Sequence, residues 1–114
     1  DDPEAAIVLA IELKDGDRLL GCVGLQKTAE GPEIGYWIAE PFWSLGIGTQ
    51  VVNAMTDYAF NNFPLERLYA RPFLFNIASI RVLEKCGYIH EATLKNALVK
   101  QGHFYDELIF SKLK

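Results

Sequence analysis

Gly46-Ile47-Gly48 divides this chain by hydrophobic period, and that division limits the architectures open to it. Ahead of it stand three β-rich runs. Behind it, two helical stretches alternate with a short strand before two closing strands. Residues 5–13 form a near-continuous run of Ile, Val and Leu, and residues 19–26 form a second. Asp15-Gly16 between them is the strongest short hairpin signal, because such a turn matches the twist of paired strands. Residues 33–38, aromatic and β-branched, predict a third strand that Pro41 ends.

From Gly46 onward Ile47, Val51, Val52, Met55, Tyr58 and Ala59 fall on one side and Gln50, Asn53 and Asp57 on the other, the pattern of an amphipathic helix. It should stop near Asn61-Asn62, since Pro64 pushes the residue before it out of helical geometry. Residues 68–71 predict a short strand. Asn76 is a good N-cap for a helix carrying Ile77, Ile80, Val82 and Leu83, and Gly87 supplies a left-handed C-terminal cap with Tyr88 packing back on the last turn. Two strands over residues 89–95 and 104–111 close the chain. This order implies an α+β fold, a mixed, mostly antiparallel sheet with helices covering its faces.

At 114 residues, 50% of them hydrophobic and 23% charged, the chain is expected to be one compact domain. Its longest apolar run, residues 5–11, falls short of the roughly 20 residues a spanning helix needs, and no leader pattern opens it, so no membrane partner and a cytoplasmic location are expected. Eleven Lys and Arg against fifteen Asp and Glu, a formal charge of -4 with no long run of one sign, argue against nucleic acid as a partner. Cys22 and Cys86 match neither a zinc spacing nor a disulfide framework and are expected as reduced core residues. His90 and His103 have no ligand-spaced companions, so no metal is expected.

The junction from Trp37 to Thr49 leaves a strand and enters a helix through Gly-x-Gly. Glycines let backbone N–H groups converge and the helix start adds its dipole, so the junction suits an anion such as a diphosphate; it equally suits a tight turn for close packing. Asn76 followed by Ser79 reads as a cap and a small residue beside it, or as two polar groups at one mouth of the sheet.

Glu33-Ile34-Gly35-Tyr36-Trp37-Ile38, the Trp43–Thr49 loop, Asn76 to Tyr88 and Gly102 to Glu107 together resemble the GNAT superfamily of N-acetyltransferases, in particular its RimJ/RimL-like, ribosomal-protein-alanine acetyltransferase branch. The resemblance implies an acyl-CoA N-acyltransferase fold whose sheet splits in a V beside the third strand, with acetyl-CoA as cosubstrate in the opening. It implies Trp37 and Ile38 beside the pantetheine amides and thioester, Leu45, Gly46, Ile47, Gly48 and Thr49 around the diphosphate, and Asn76 against the pantetheine arm. Trp43, Ser44 and Leu45 stand where the family often has a basic side chain, which leaves phosphate binding to backbone amides.

The implied reaction is direct attack of a primary amine, a protein N-terminus or a small-molecule amine, on the thioester. An α-amine titrates at about 8 and a lysine amine at about 10.4, so a base must take the proton. Glu33 is the candidate; its other reading is a solvated residue at a strand start. The oxyanion would meet a backbone N–H near Trp37 or Ile38. Many family members protonate the leaving thiolate with a helix tyrosine, but Leu83 stands there in this chain, and the resemblance points to Ser79 instead. Tyr36 and Tyr88 read as packing residues, and Cys86 as a buried cap residue with no activating neighbour beyond Lys85. A non-catalytic acyl-CoA-binding module and a nucleotide-binding module are the competing readings.

Against the family pattern, the run at Ala5 resembles the second strand, and no methionine opens the chain. An N-terminally truncated domain is therefore expected, lacking a leading strand and helix pair. A homodimer is one way to cover the apolar sheet face this would bare.

Overall fold

A computed structural model of the chain describes residues 7–29, 31–39, 46–72 and 76–114. Among the described residues, six strands and two helices follow the expected order: β1 (Ile7–Asp15), β2 (Arg18–Thr28), β3 (Gly31–Ile38), α1 (Ile47–Asn62), β4 (Arg67–Ala70), α2 (Ile77–Lys85), β5 (Ile89–Lys100) and β6 (His103–Leu113). The strands form one mixed sheet ordered β1-β2-β3-β4-β6-β5. β1 and β2 are the expected hairpin, with Gly16 at φ +62° in the turn. All neighbours pair antiparallel except β3 and β4, whose parallel relation requires a crossover, supplied by α1.

Paired residues share a sheet face. Val23 lies opposite Tyr36, Leu25 opposite Ile34 and Ala70 opposite Phe110. These positions face the helices, and the core joins Val23, Leu25, Ile34, Leu68, Ala70, Leu108 and Phe110 to Val52, Met55, Ala59 and Phe60 of α1 and Leu83 of α2. Helices were expected on both faces. The two described helices instead share one face, because their apolar stripes bury into this single core, and the opposite face presents Cys22, Glu33, Trp37, Tyr69 and Arg71. Cys22, expected in the core, is exposed for the same reason: Val23 and Leu25 take the helix-facing positions of β2, and period-two alternation turns Cys22 outward.

The helix ends follow the sequence closely. α1 stops at Asn62, with Phe63 extended at φ -130°, ψ 149° ahead of Pro64. α2 ends in a Schellman motif, with Gly87 at φ +87°, the Tyr88 N–H donating to the Leu83 carbonyl at 2.9 Å and the Gly87 N–H to the Glu84 carbonyl at 3.1 Å. Tyr88 is buried and its hydroxyl bonds Thr56 of α1 at 2.8 Å, while burial pushes its phenol up to about 12.

Candidate functional site

The sheet parts between β3 and β4. β2 and β3 pair continuously from Thr28 opposite Gly31 to Gly21 opposite Ile38. Among the described residues, β3 meets β4 in register only where Glu33 lies opposite Tyr69. The cause is local: β4 is four residues long, and Pro72, two residues past its end, has no N–H with which to continue a ladder. Beyond Glu33 the strand runs on without β4, and alternate backbone groups of Ile34–Ile38 face the opening, where an extended ligand carrying amides can pair as an added strand would.

Both helices begin at this mouth, because each follows the C-terminal end of a strand that borders it. Gly46 enters α1 in the left-handed region at φ +76°, where an L side chain would be strained. No side chain caps α1 and its first turn holds no acidic residue, so the first-turn amides of Ile47, Gly48 and Thr49 point out of the helix start toward any anion there. Gly48 keeps the helices close: a Cβ on it would lie 3.4 Å from Val82 of α2 and 3.7 Å from the Tyr36 ring. The Thr49 carbonyl accepts from the Cys86 thiol at 3.5 Å. Leu45 lies outside the described residues.

α2 is capped differently. The Asn76 side-chain oxygen accepts the Ser79 N–H at 3.0 Å, the expected N-cap bond, and its amide NH2 is not used by that bond. Ser79 Oγ accepts from the Tyr36 hydroxyl at 3.0 Å. Tyr36, read from sequence as a packing residue, is thus the polar link between β3 and α2, and burial raises its phenol above the ordinary value. Leu83, where a tyrosine donor was the commoner pattern, is 1% exposed in the core and offers no polar group to the mouth. Cys86 is buried, as expected, and burial pushes its thiol up, away from nucleophilic use.

The opposite face of the opening holds the carboxylates. The Arg71 Nε lies 3.5 Å from Glu33 Oε1, and its Nη1 lies 3.2 Å from Glu107 Oε1. These three side chains are only 17–24% exposed and together carry one net negative charge. Glu33 is therefore neither loose nor fully solvated, and the guanidinium fixes its direction. Sequence reasoning missed Arg71 and gave Glu107 no role, although Arg67, Tyr69 and Arg71 share the spacing of one strand face. Trp37, on the same face as Glu33, is 52% exposed, whereas Ile38 is buried on the helix side. Ile38 therefore meets the opening through its backbone.

The arrangement sets a carboxylate and a hydroxyl on opposite sides of one gap. Glu33 and Tyr36 are three residues apart on β3, about 10 Å along the strand, and point to opposite faces. A ligand threaded through the opening would have a proton acceptor on one side and the Ser79 hydroxyl on the other. A cavity of about 520 Å³ lies elsewhere, at the paired end of β3 among Leu25, Thr28, Pro32, Phe63 and Leu65. No group of residues suited to holding a metal ion occurs among the described residues, and no described helix is long and apolar enough to cross a membrane.

Known proteins resemble this chain in sequence and in fold. Residues 1–89 match the acetyltransferase (GNAT) domain family. The uncharacterized N-acetyltransferase YoaA of Bacillus subtilis is 33% identical over 107 residues, covering 91% of this chain and 60% of that protein. The putative ribosomal N-acetyltransferase YdaF of Bacillus subtilis is 34% identical over 90 residues, covering 79% of this chain and 49% of that protein. The chain thus spans about half to three fifths of the length of these relatives. Among solved structures, the microcin C7 self-immunity acetyltransferase MccE, in complex with acetyl-CoA and AMP, superposes with a TM-score of 0.81 at 25% identity, covering 93% of this chain and 61% of that one. A sheet that parts beside β3, helices that start at its mouth and the match over residues 1–89 agree: the chain belongs to the GNAT acetyltransferase family.

Proposed function

We propose that this chain forms the acetyl-CoA site and carries the reacting groups of an N-acetyltransferase of the RimJ/RimL-like kind, acting on a cationic primary amine such as a protein N-terminus. The observation that carries it is the opening between β3 and β4, with the uncapped start of α1 at its mouth and Glu33 and Ser79 on opposite sides. The residues present suit the cosubstrate: first-turn amides of Ile47, Gly48 and Thr49 for a diphosphate, and the exposed backbone edge of β3 with the Asn76 amide for the pantetheine arm. When bound, acetyl-CoA supplies an acyl group activated as a thioester.

Glu33 takes the proton of the attacking amine. Its ion pair with Arg71 holds the carboxylate in a set direction on this face of the sheet. A backbone N–H near Trp37 or Ile38 steadies the negative charge on the acyl oxygen. Ser79 faces the leaving sulfur from α2. The net negative charge of Glu33, Arg71 and Glu107 attracts a cationic amine to this side of the sheet, in keeping with the overall charge of -4. The name of YdaF, a putative ribosomal N-acetyltransferase, is in keeping with a ribosomal acceptor.

Incubating the protein with acetyl-CoA and a panel of amines, with polyamines, amino acids and N-terminal peptides of ribosomal proteins included, tests this by mass spectrometry. Acetylated product with one free thiol released per acetyl group is the expected result. Tight binding of acetyl-CoA with no product from any amine would overturn it in favour of a non-catalytic acyl-CoA-binding module.

A further inference from the structure

The Tyr36–Ser79 bond has the chemistry of an orienting contact. Three elements converge on Tyr36: it stands on the helix-facing side of β3, its ring borders Gly48 of α1, and its hydroxyl reaches Ser79 in the first turn of α2. A serine hydroxyl carries one hydrogen and two lone pairs. With the phenol donating into one lone pair, the Ser79 hydrogen must point to some other acceptor. The backbone of Ser79 is held at the same time, its N–H on the Asn76 side chain at 3.0 Å. Ser79 is therefore pinned from two directions, and the rotation of its hydroxyl is the freedom that Tyr36 restricts. A phenol keeps its hydrogen at neutral pH, and burial raises the Tyr36 titration further, so that hydrogen is available to donate to Ser79.

We propose that Tyr36 is a positioning residue for acetyl transfer: by donating to Ser79 it turns the serine hydrogen toward the leaving sulfur. The inference rests on the acetyltransferase reading given above. In the step concerned, Glu33 takes one proton from the cationic amine, the freed nitrogen electron pair forms a bond to the acyl carbon, and the second proton, shed as the amide forms, passes to water. The carbon–sulfur bond breaks with its electron pair on sulfur, and the Ser79 hydrogen bonds to that charge. The thiolate then takes that second proton from the water, CoA leaves as the neutral thiol, and Glu33 returns its own proton to solvent. α2 carries no tyrosine and Leu83 is buried in the core, which leaves the Ser79 hydroxyl, held by Tyr36, to meet the charge on sulfur.

Tyr36→Phe keeps the ring against Gly48 and deletes only the hydroxyl. The expected result is a kcat lower by about tenfold, the size of one lost hydrogen bond to a reacting group, with the KM for acetyl-CoA unchanged. Ser79→Ala should cost at least as much, and the double variant no more than Ser79→Ala alone, since the two residues act as one unit. A readout without substrate accompanies these. In the ligand-free protein, NMR of labelled tyrosine should show the Tyr36 titration moving to higher pH in Ser79→Ala, because the bond that lowers it is gone. Unchanged kcat in Tyr36→Phe while Ser79→Ala falls, or losses that multiply in the double variant, would overturn the inference while leaving the acetyltransferase reading intact. A wild-type protein that binds acetyl-CoA yet transfers nothing would overturn that reading, and this inference with it.

Discussion

Glu33→Gln is expected to lower kcat for acetyl transfer by about 100-fold or more, with the KM for acetyl-CoA unchanged, when initial rates are measured under saturating amine. Glutamine keeps the shape of the side chain and an oxygen for Arg71, but it cannot accept a proton. The loss is therefore confined to the step in which the amine becomes a nucleophile. Cosubstrate binding is spared because the Glu33 side chain projects from the face opposite α1 and α2, while the groups suited to the diphosphate and the pantetheine arm are the helix-start amides, the Asn76 side chain and the backbone of β3 beyond Glu33. The alternative, that Glu33 serves only as an ion-pair partner of Arg71, leads to less than a twofold change. Equal rates in the two proteins would remove Glu33 from the mechanism and turn attention to Glu107, the second carboxylate held by Arg71.

Gly21→Ala carries the second large effect, and it acts through backbone alone. Gly21 lies opposite Ile38 in the β2–β3 ladder. A Cβ there would fall inside the van der Waals shell of the Trp37 carbonyl oxygen, 2.9 Å from the Trp37 carbonyl carbon and 3.0 Å from the Ile38 Cα. No flexible side chain can yield, so the strands must move apart at Trp37 and Ile38. Urea unfolding should show a loss of about 3 kcal/mol, the upper part of the range for overpacked sites. Because the displaced segment is one wall of the opening, calorimetry should show acetyl-CoA binding at least tenfold weaker. Gly35→Ala is the control, since a Cβ at Gly35 meets nothing within 4 Å, and its stability should be unchanged. A Gly21→Ala protein as stable as wild type would refute the close approach of β2 to β3.

How far this could be read from residues depends on the range of the interactions involved. The hairpin at Asp15-Gly16, the stop of α1 ahead of Pro64, the Asn76 cap and the Gly87 Schellman motif were all legible, because a few adjacent residues determine each of them. β5 was expected to end at Lys95 and instead continues to Lys100 through a register shift, with Asn96 at φ +53°. The Asn96 N–H is taken by the Asp106 carboxylate at 3.0 Å from across the hairpin, and the ladder resumes beyond it. Cys22 was misjudged although the signal existed: Val23 and Leu25 mark one face of β2, and Cys22 falls on the other with Gln26.

The candidate site divides in the same way. Gly46, Gly48 and Asn76 are visible as turn and cap chemistry. Arg71 joins Glu33 to Glu107, and Tyr36 joins Ser79, across 43 residues in the latter case. Such partners meet only once the sheet has assembled, and no local spacing signals them. The parting of β3 from β4 is intermediate. Pro72 marks where β4 must end, but only the register of Glu33 against Tyr69 shows that β3 continues past that point.

Amide hydrogen exchange, with and without saturating acetyl-CoA, tests most directly whether the opening between β3 and β4 is the acyl-CoA site. The expected result is slowed exchange in residues 34–38 of β3 and in the first turns of α1 and α2, with β1 and the lining of the Leu25–Phe63 cavity unaffected. Slowed exchange around that cavity with none at β3 would contradict it, as would binding that leaves every amide unchanged.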